Sequence, residues 1–163
     1  MISNSLGAAH VTAAMAALVL GAIVLVSDKG TDFHRLFGLG FVVAMIALNA
    51  TALGIYRLTG QFNAFHGLVL LNLATTAWGV LLVLRRRKNW MEAHRRVMSF
   101  SYLGLVAAAA TEGILRMGPV RAMIGSPSGI IVMGLLIAAL FAAVGTLVIR
   151  RPQKSAIAAR VDH

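Results

Sequence analysis

Arg85-Arg86-Arg87-Lys88, followed by His94-Arg95-Arg96-Val97-Met98, is the stretch from which the rest of the chain can be read. It holds six of the fifteen lysines and arginines and sets a histidine at the mouth of an apolar run. Outward from it, five apolar runs separated by polar or basic breaks occupy about 7–27, 33–56, 63–84, 95–116 and 129–149. Each approaches the ~20 residues that cross a hydrocarbon layer at ~1.5 Å per residue. Across 163 residues, 59% are hydrophobic and only 12% charged, with a mean hydropathy of +0.84. A soluble domain carries roughly 25% charged residues. The expected fold is an all-α polytopic membrane protein with five spans, because a helix satisfies its own backbone groups where no water can. No length remains for a second, soluble domain.

The placement of charge gives an orientation. Lys29, Arg35, the six basic residues from Arg85 to Arg96, and Arg150, Arg151, Lys154 and Arg160 make twelve on one side, against Arg57, Arg116 and Arg121 on the other. By the positive-inside rule the N-terminus lies outside and the C-terminus in the cytoplasm of a bacterial inner membrane. The net charge of +10 is thus spent at the ends of spans, which argues against nucleic acid and for the lipid bilayer as partner. The first run reads as a retained span. Met1 to Ala9 holds no positive charge, and no small-residue cleavage site follows Leu25-Val26-Ser27-Asp28. Cysteine is absent, so metal or cofactor chemistry falls to histidine and carboxylate.

The chain repeats itself. Ala9-His10 matches Phe65-His66, Gly21 matches Gly79, His34-Arg35 matches His94-Arg95, and Gly54-Ile55-Tyr56-Arg57 matches Gly113-Ile114-Leu115-Arg116. The intervals are 11, 13 and 20 residues in the first copy and 13, 15 and 19 in the second. Residues 1–117 therefore read as a four-helix core built from duplicated hairpins, about 8–57 and 64–116. Two crossings separate the copies, so they insert in the same sense, related by an axis along the membrane normal. Residues 118–128, with Gly118-Pro119 and Ser126-Pro127, form an outer connection. The fifth span, 129–150, has no counterpart and is expected outside the core or against another copy in a homo-oligomer; 151–163 is a cytoplasmic tail.

Such an axis pairs His10 with His66 near the outer surface and His34 with His94 near the inner one. From His10 to the end of its helix is a rise of ~24 Å. Gly21 lies within about 20° of His10 around the helix, Gly38 and Met45 within about 40° and 20° of His34, and Glu112 follows His94 by five whole turns. Small residues on an inward face make room either for a flat ligand or for close helix contact. Asn49, Asn72, Thr75 and Thr76 are expected to join helices by hydrogen bonds.

Two histidine pairs at two depths suit two b-type haems, each iron held by two imidazoles, in a membrane oxidoreductase or electron carrier that exchanges with quinone or another redox partner. Arg35 and Arg95 are candidates to neutralise the inner propionates. A competing metal site combines His10, His66 and Glu112, a set suited to zinc or non-haem iron. Against it stands an i, i+4 ion pair between Glu112 and Arg116. A third reading is a non-catalytic scaffold whose histidines lie at the headgroups.

Lys29-Gly30-Thr31 with His34-Arg35 and Gly38, then Gly60-x-Phe62 before His66, then Ala93-His94-Arg95 with Met98, resembles a bacterial family of predicted membrane proteins of unknown function. The resemblance spans roughly 10–117 and implies the bundle and the four histidines, with no agreed activity. Gly67 departs from the expected Leu-Ser after the third histidine, and the fifth span looks like an addition. More distantly, the interlaced histidines are similar to those of the diheme cytochrome b561 group, which implies ligand roles for His10, His66, His34 and His94.

Overall fold

The computed structural model describes residues 2–59 and 64–115, together with 136, 139, 140 and 143. Four helices account for them: α1 (Ile2–Val26), α2 (Asp32–Thr59), α3 (Ala64–Arg85) and α4 (Trp90–Leu115). No strand occurs among the described residues. The four helices follow the first four apolar runs. Of the fifth run only Leu136, Ala139, Leu140 and Ala143 are described, all helical; the connection at 118–128 and the tail at 151–163 lie outside the described residues.

The turn between α1 and α2 explains the Lys29-Gly30-Thr31 motif. The Lys29 ammonium donates to the carbonyls of Val24, Leu25 and Ser27, which helix geometry leaves unpaired at the end of α1. Gly30 takes φ +83°, the left-handed conformation that only glycine adopts without strain. Thr31 then caps α2, its hydroxyl oxygen accepting the backbone N–H of His34 at 3.1 Å. The turn between α3 and α4 reaches the same result with Arg86 and Asn89 at φ 43° and 61°. There the Arg86 N–H closes on the Leu82 carbonyl, and the Ala93 N–H on that of Asn89.

Consecutive helices pack together, and α4 returns to pack on α1; α1 and α3, like α2 and α4, make no backbone approach among the described residues. The core where the helices meet is Ala17, Phe41, Ala44, Met45 and Leu105, flanked by Met98 and Tyr102. Around it the usual distribution is inverted. Asn49 and Ser101 are only 4% and 2% exposed, while Leu36 and Val43 are 68% and 58% exposed. In water this would leave large apolar faces uncovered; in lipid it is the stable arrangement, with small polar side chains at helix contacts. Ser5–Val26 and Asp32–Ile55 are long and apolar enough to cross a bilayer, and α3 adds the shorter apolar stretch Val69–Arg85.

Every buried side-chain polar atom among the described residues has a partner. Between α3 and α4 the hydroxyls of Thr76 and Ser101 meet at 2.7 Å, and the Asn72 amide donates to the Ser101 carbonyl at 3.3 Å. The Tyr102 hydroxyl donates to the Leu18 carbonyl, tying α4 to α1. Asn49 and Thr75 bond carbonyls of their own helices instead, so of the four residues expected to join helices, Asn72 and Thr76 do.

The paired glycines serve close contact. A Cβ on Gly21 would overlap the ring of Tyr102 and come within 2.9 Å of Phe41 Cε2, whereas one on Gly79 would meet the thioether of Met98. Gly38 has nothing within 4 Å of that position. Gly21→Ala is therefore expected to destabilise by about 1–3 kcal/mol, because two packed rings have no rotamer to retreat into. Gly79→Ala should cost less, since a methionine can bend away, and Gly38→Ala should be neutral or stabilising by up to about 1 kcal/mol from helix propensity. Thermal unfolding in detergent ranks the three; equal losses would contradict the notch at Gly21.

Candidate functional site

The inner histidines come from two helices, α2 and α4, that meet through side chains such as Phe41 and Tyr102 and not through close backbone approach. His34 stands in the first turn of α2 and His94 in the second turn of α4, both half-buried and within electrostatic reach of each other. Lys29 lies close enough to act on both His34 and Arg95, so both turns lie at one end of the molecule.

Each described histidine has its Nδ1 engaged. On His94, Nδ1 lies 2.8 Å from the Gly79 carbonyl oxygen of α3. A carbonyl only accepts, so this nitrogen carries the proton, and in a neutral ring Nε2 carries the lone pair. One turn along, Met98 lies over the same glycine, which explains the spacing of Ala93-His94-Arg95 and Met98: both side chains dock on Gly79. On His34, Nδ1 lies 3.2 Å from the Ser27 hydroxyl, whose own proton goes to the Val24 carbonyl. The ring therefore donates. On His10 the partner is Thr51 of α2, at 3.1 Å, and the threonine proton points at the carbonyls of Ala47 and Leu48. The carbonyl fixes Nδ1–H on His94, and the hydroxyls' own bonds to carbonyls favour the same tautomer, with Nε2 as acceptor, on His10 and His34. Metal-binding histidines are oriented in this way, with the second nitrogen donating to a fixed oxygen.

The charged neighbours divide. Arg35 pairs with Asp32 at 3.2 Å, both exposed, and Arg96 pairs with Glu92 one turn away. Arg95 is half-buried and turned toward Lys29. Partial desolvation holds the Lys29 ammonium below the ordinary lysine range; Asp28 opposes this shift and Arg95 reinforces it. Of the two candidate arginines, then, Arg95 faces the inner histidines' surroundings, whereas Arg35 faces outward.

At the outer end, His66 lies in the first turn of α3 with its side chain outside the described residues. Glu112 is exposed in the last turn of α4, and Arg116 lies beyond the described residues. Sharing whole turns with His94 does not bury Glu112, because α4 meets its neighbours at that height through Thr111 instead. No group of three metal-ligating side chains gathers among the described residues.

Sequence reasoning passed over Ser27, Thr51 and the Gly79 carbonyl. Thr51 had a signal: it follows His34 by 17 residues, as Thr111 follows His94, and both threonines bond the carbonyl four residues back. Ser27 and a backbone carbonyl carry no such mark.

A family model described as predicted membrane protein (DUF2306) matches residues 7–150. No curated protein and no solved structure matches the chain.

The tautomers are testable without any ligand. Nitrogen NMR of the histidine-labelled protein above the imidazole titration range should report Nδ1–H and a bare Nε2 for His10, His34 and His94. Ser27→Ala should release His34 alone and Thr51→Val His10 alone. A dominant Nε2–H form in the unsubstituted protein would contradict the hydrogen-bond assignment.

Proposed function

The chain belongs to the predicted membrane protein family DUF2306, and from that premise we propose that it is a small transmembrane electron carrier of the b-type cytochrome kind. Its first four helices form the ligand-bearing bundle, and the fifth apolar run adds a span beside it. The N-terminus lies outside and the C-terminus in the cytoplasm, as the basic turns after α1 and α3 require.

The observation that carries this reading is that His34 of α2 and His94 of α4 lie within electrostatic reach of each other, each with Nδ1 hydrogen-bonded to a fixed oxygen. The donor set fits a bis-imidazole iron: two neutral rings, each oriented by an oxygen acceptor, at the edge of an apolar core. His10, held by Thr51, has the same character at the other level, and His66 is its partner by the repeat. A b-type haem at each level would supply one-electron chemistry. The chain's own residues have separate tasks. Gly79, Ser27 and Thr51 keep the rings oriented and basic, the aliphatic exterior holds the bundle at membrane depth, and Arg95 sets a positive potential beside the inner pair.

Reconstitution into liposomes that enclose ferricyanide tests the function. With an impermeant reductant outside, the protein should reduce the trapped acceptor, and His34→Ala or His94→Ala should bring the rate to that of protein-free vesicles. Transfer that survives loss of the inner pair would overturn the reading. Bound zinc or iron without haem, lost on substitution of His10 or Glu112, would favour the metal site of His10, His66 and Glu112. A chain that binds neither would be a scaffold.

A further inference from the structure

The arginines around the inner histidines are not equivalent. Arg35 and Arg96 are neutralised within their own helices by Asp32 and Glu92. Arg95 makes no hydrogen bond or ion pair among the described residues, although it is half-buried and lies beside a second cation, Lys29. Lys29 has no proton left to give, since all three go to backbone carbonyls at the end of α1 and in the turn after it. Electrostatic contacts link Arg95 to Lys29, Lys29 to His34 and His34 to His94; of the neighbouring carboxylates Asp28 acts on Lys29, while Asp32 and Glu92 pair with Arg35 and Arg96. Two cations held together from separate turns repel each other, and an anion between them relieves that repulsion. The guanidinium supplies a fork of donors matched to a phosphate, and the ammonium supplies field.

We infer that Arg95, with Lys29 beside it, binds the phosphate of an anionic phospholipid. The surroundings favour a lipid over a soluble anion. Val26 ends α1, Phe33 opens α2 and Met91 opens α4, all exposed apolar side chains at this end of the molecule, where acyl chains would lie against them. Arg85, Arg86, Arg87 and Lys88 are exposed on the adjoining turn and draw an anionic leaflet toward it. The site does not depend on haem, so it stands or falls separately from the electron-carrier reading.

Native mass spectrometry of the full chain, released from micelles holding equal phosphatidylglycerol and phosphatidylcholine, tests it. The unsubstituted protein should retain phosphatidylglycerol in preference. Arg95→Gln should lower that retention about fivefold, the effect of one basic residue near an anionic surface, while Arg35→Gln and Arg96→Gln leave it unchanged. Equal retention of the two lipids by the unsubstituted protein would overturn the site whether or not the Arg95 variant folds. Equal losses in all three variants would also overturn it, leaving only a diffuse surface field. Displacement of phosphatidylglycerol by inorganic phosphate would do the same by assigning the pocket to a soluble anion.

Discussion

The hydrogen bond from His94 to the Gly79 carbonyl is the contact on which the rest of the arrangement depends. Beside it, the missing side chain of Gly79 makes room for Met98, one turn after His94, to lie against α3. That single docking point fixes the height of α4 against α3. It thereby sets Ser101 opposite Thr76 and Tyr102 under the Leu18 carbonyl of α1. It also fixes which nitrogen of His94 carries the proton. A fold contact and a chemical property thus come from one interaction, and a substitution that disturbs one disturbs the other.

The inverted burial follows from the solvent. Where lipid surrounds the helices, apolar side chains gain nothing by meeting one another, so packing, shape and hydrogen bonds select the contacts. Buried alanines, serines and threonines accordingly accompany Phe41, Met45 and Leu105 in the interior, while many leucines and valines are exposed. Among the described residues no buried polar side-chain atom is left unpaired, which a medium without water demands. The two turns at the basic end obey a different rule. There a lysine, a threonine and three residues in left-handed conformation close helix ends that the helices cannot close themselves.

Helix number and limits over the first four runs were legible because twenty or so apolar residues bounded by charges have one economical structure in a membrane. The two glycines that the repeat matches both lie at close helix contacts, but against different partners: Gly21 against Tyr102 and Phe41, Gly79 against Met98 and Val97. Those partners were not legible: periodicity places a glycine on a face but says nothing about whether a ring of Tyr102 or a flat ligand lies against it. The fates of Arg35 and Arg95 were hidden for a similar reason. Both follow a histidine and have a carboxylate three residues before them, but Asp32 pairs with Arg35 whereas Glu92 pairs with Arg96, a choice that the spacing alone does not make. Hydroxyl and carbonyl partners of the histidines come from other helices, at sequence distances from 7 to 41 residues, where no local pattern reaches.

The proposed electron carrier holds haem through the Nε2 atoms of its histidines. A visible spectrum of the detergent-purified protein, before and after dithionite and beside a total metal analysis, tests it most directly. The expected result is a Soret band that sharpens on reduction, with about two haems per chain for two bis-histidine levels. A colourless preparation that also fails to take up added haem would contradict it.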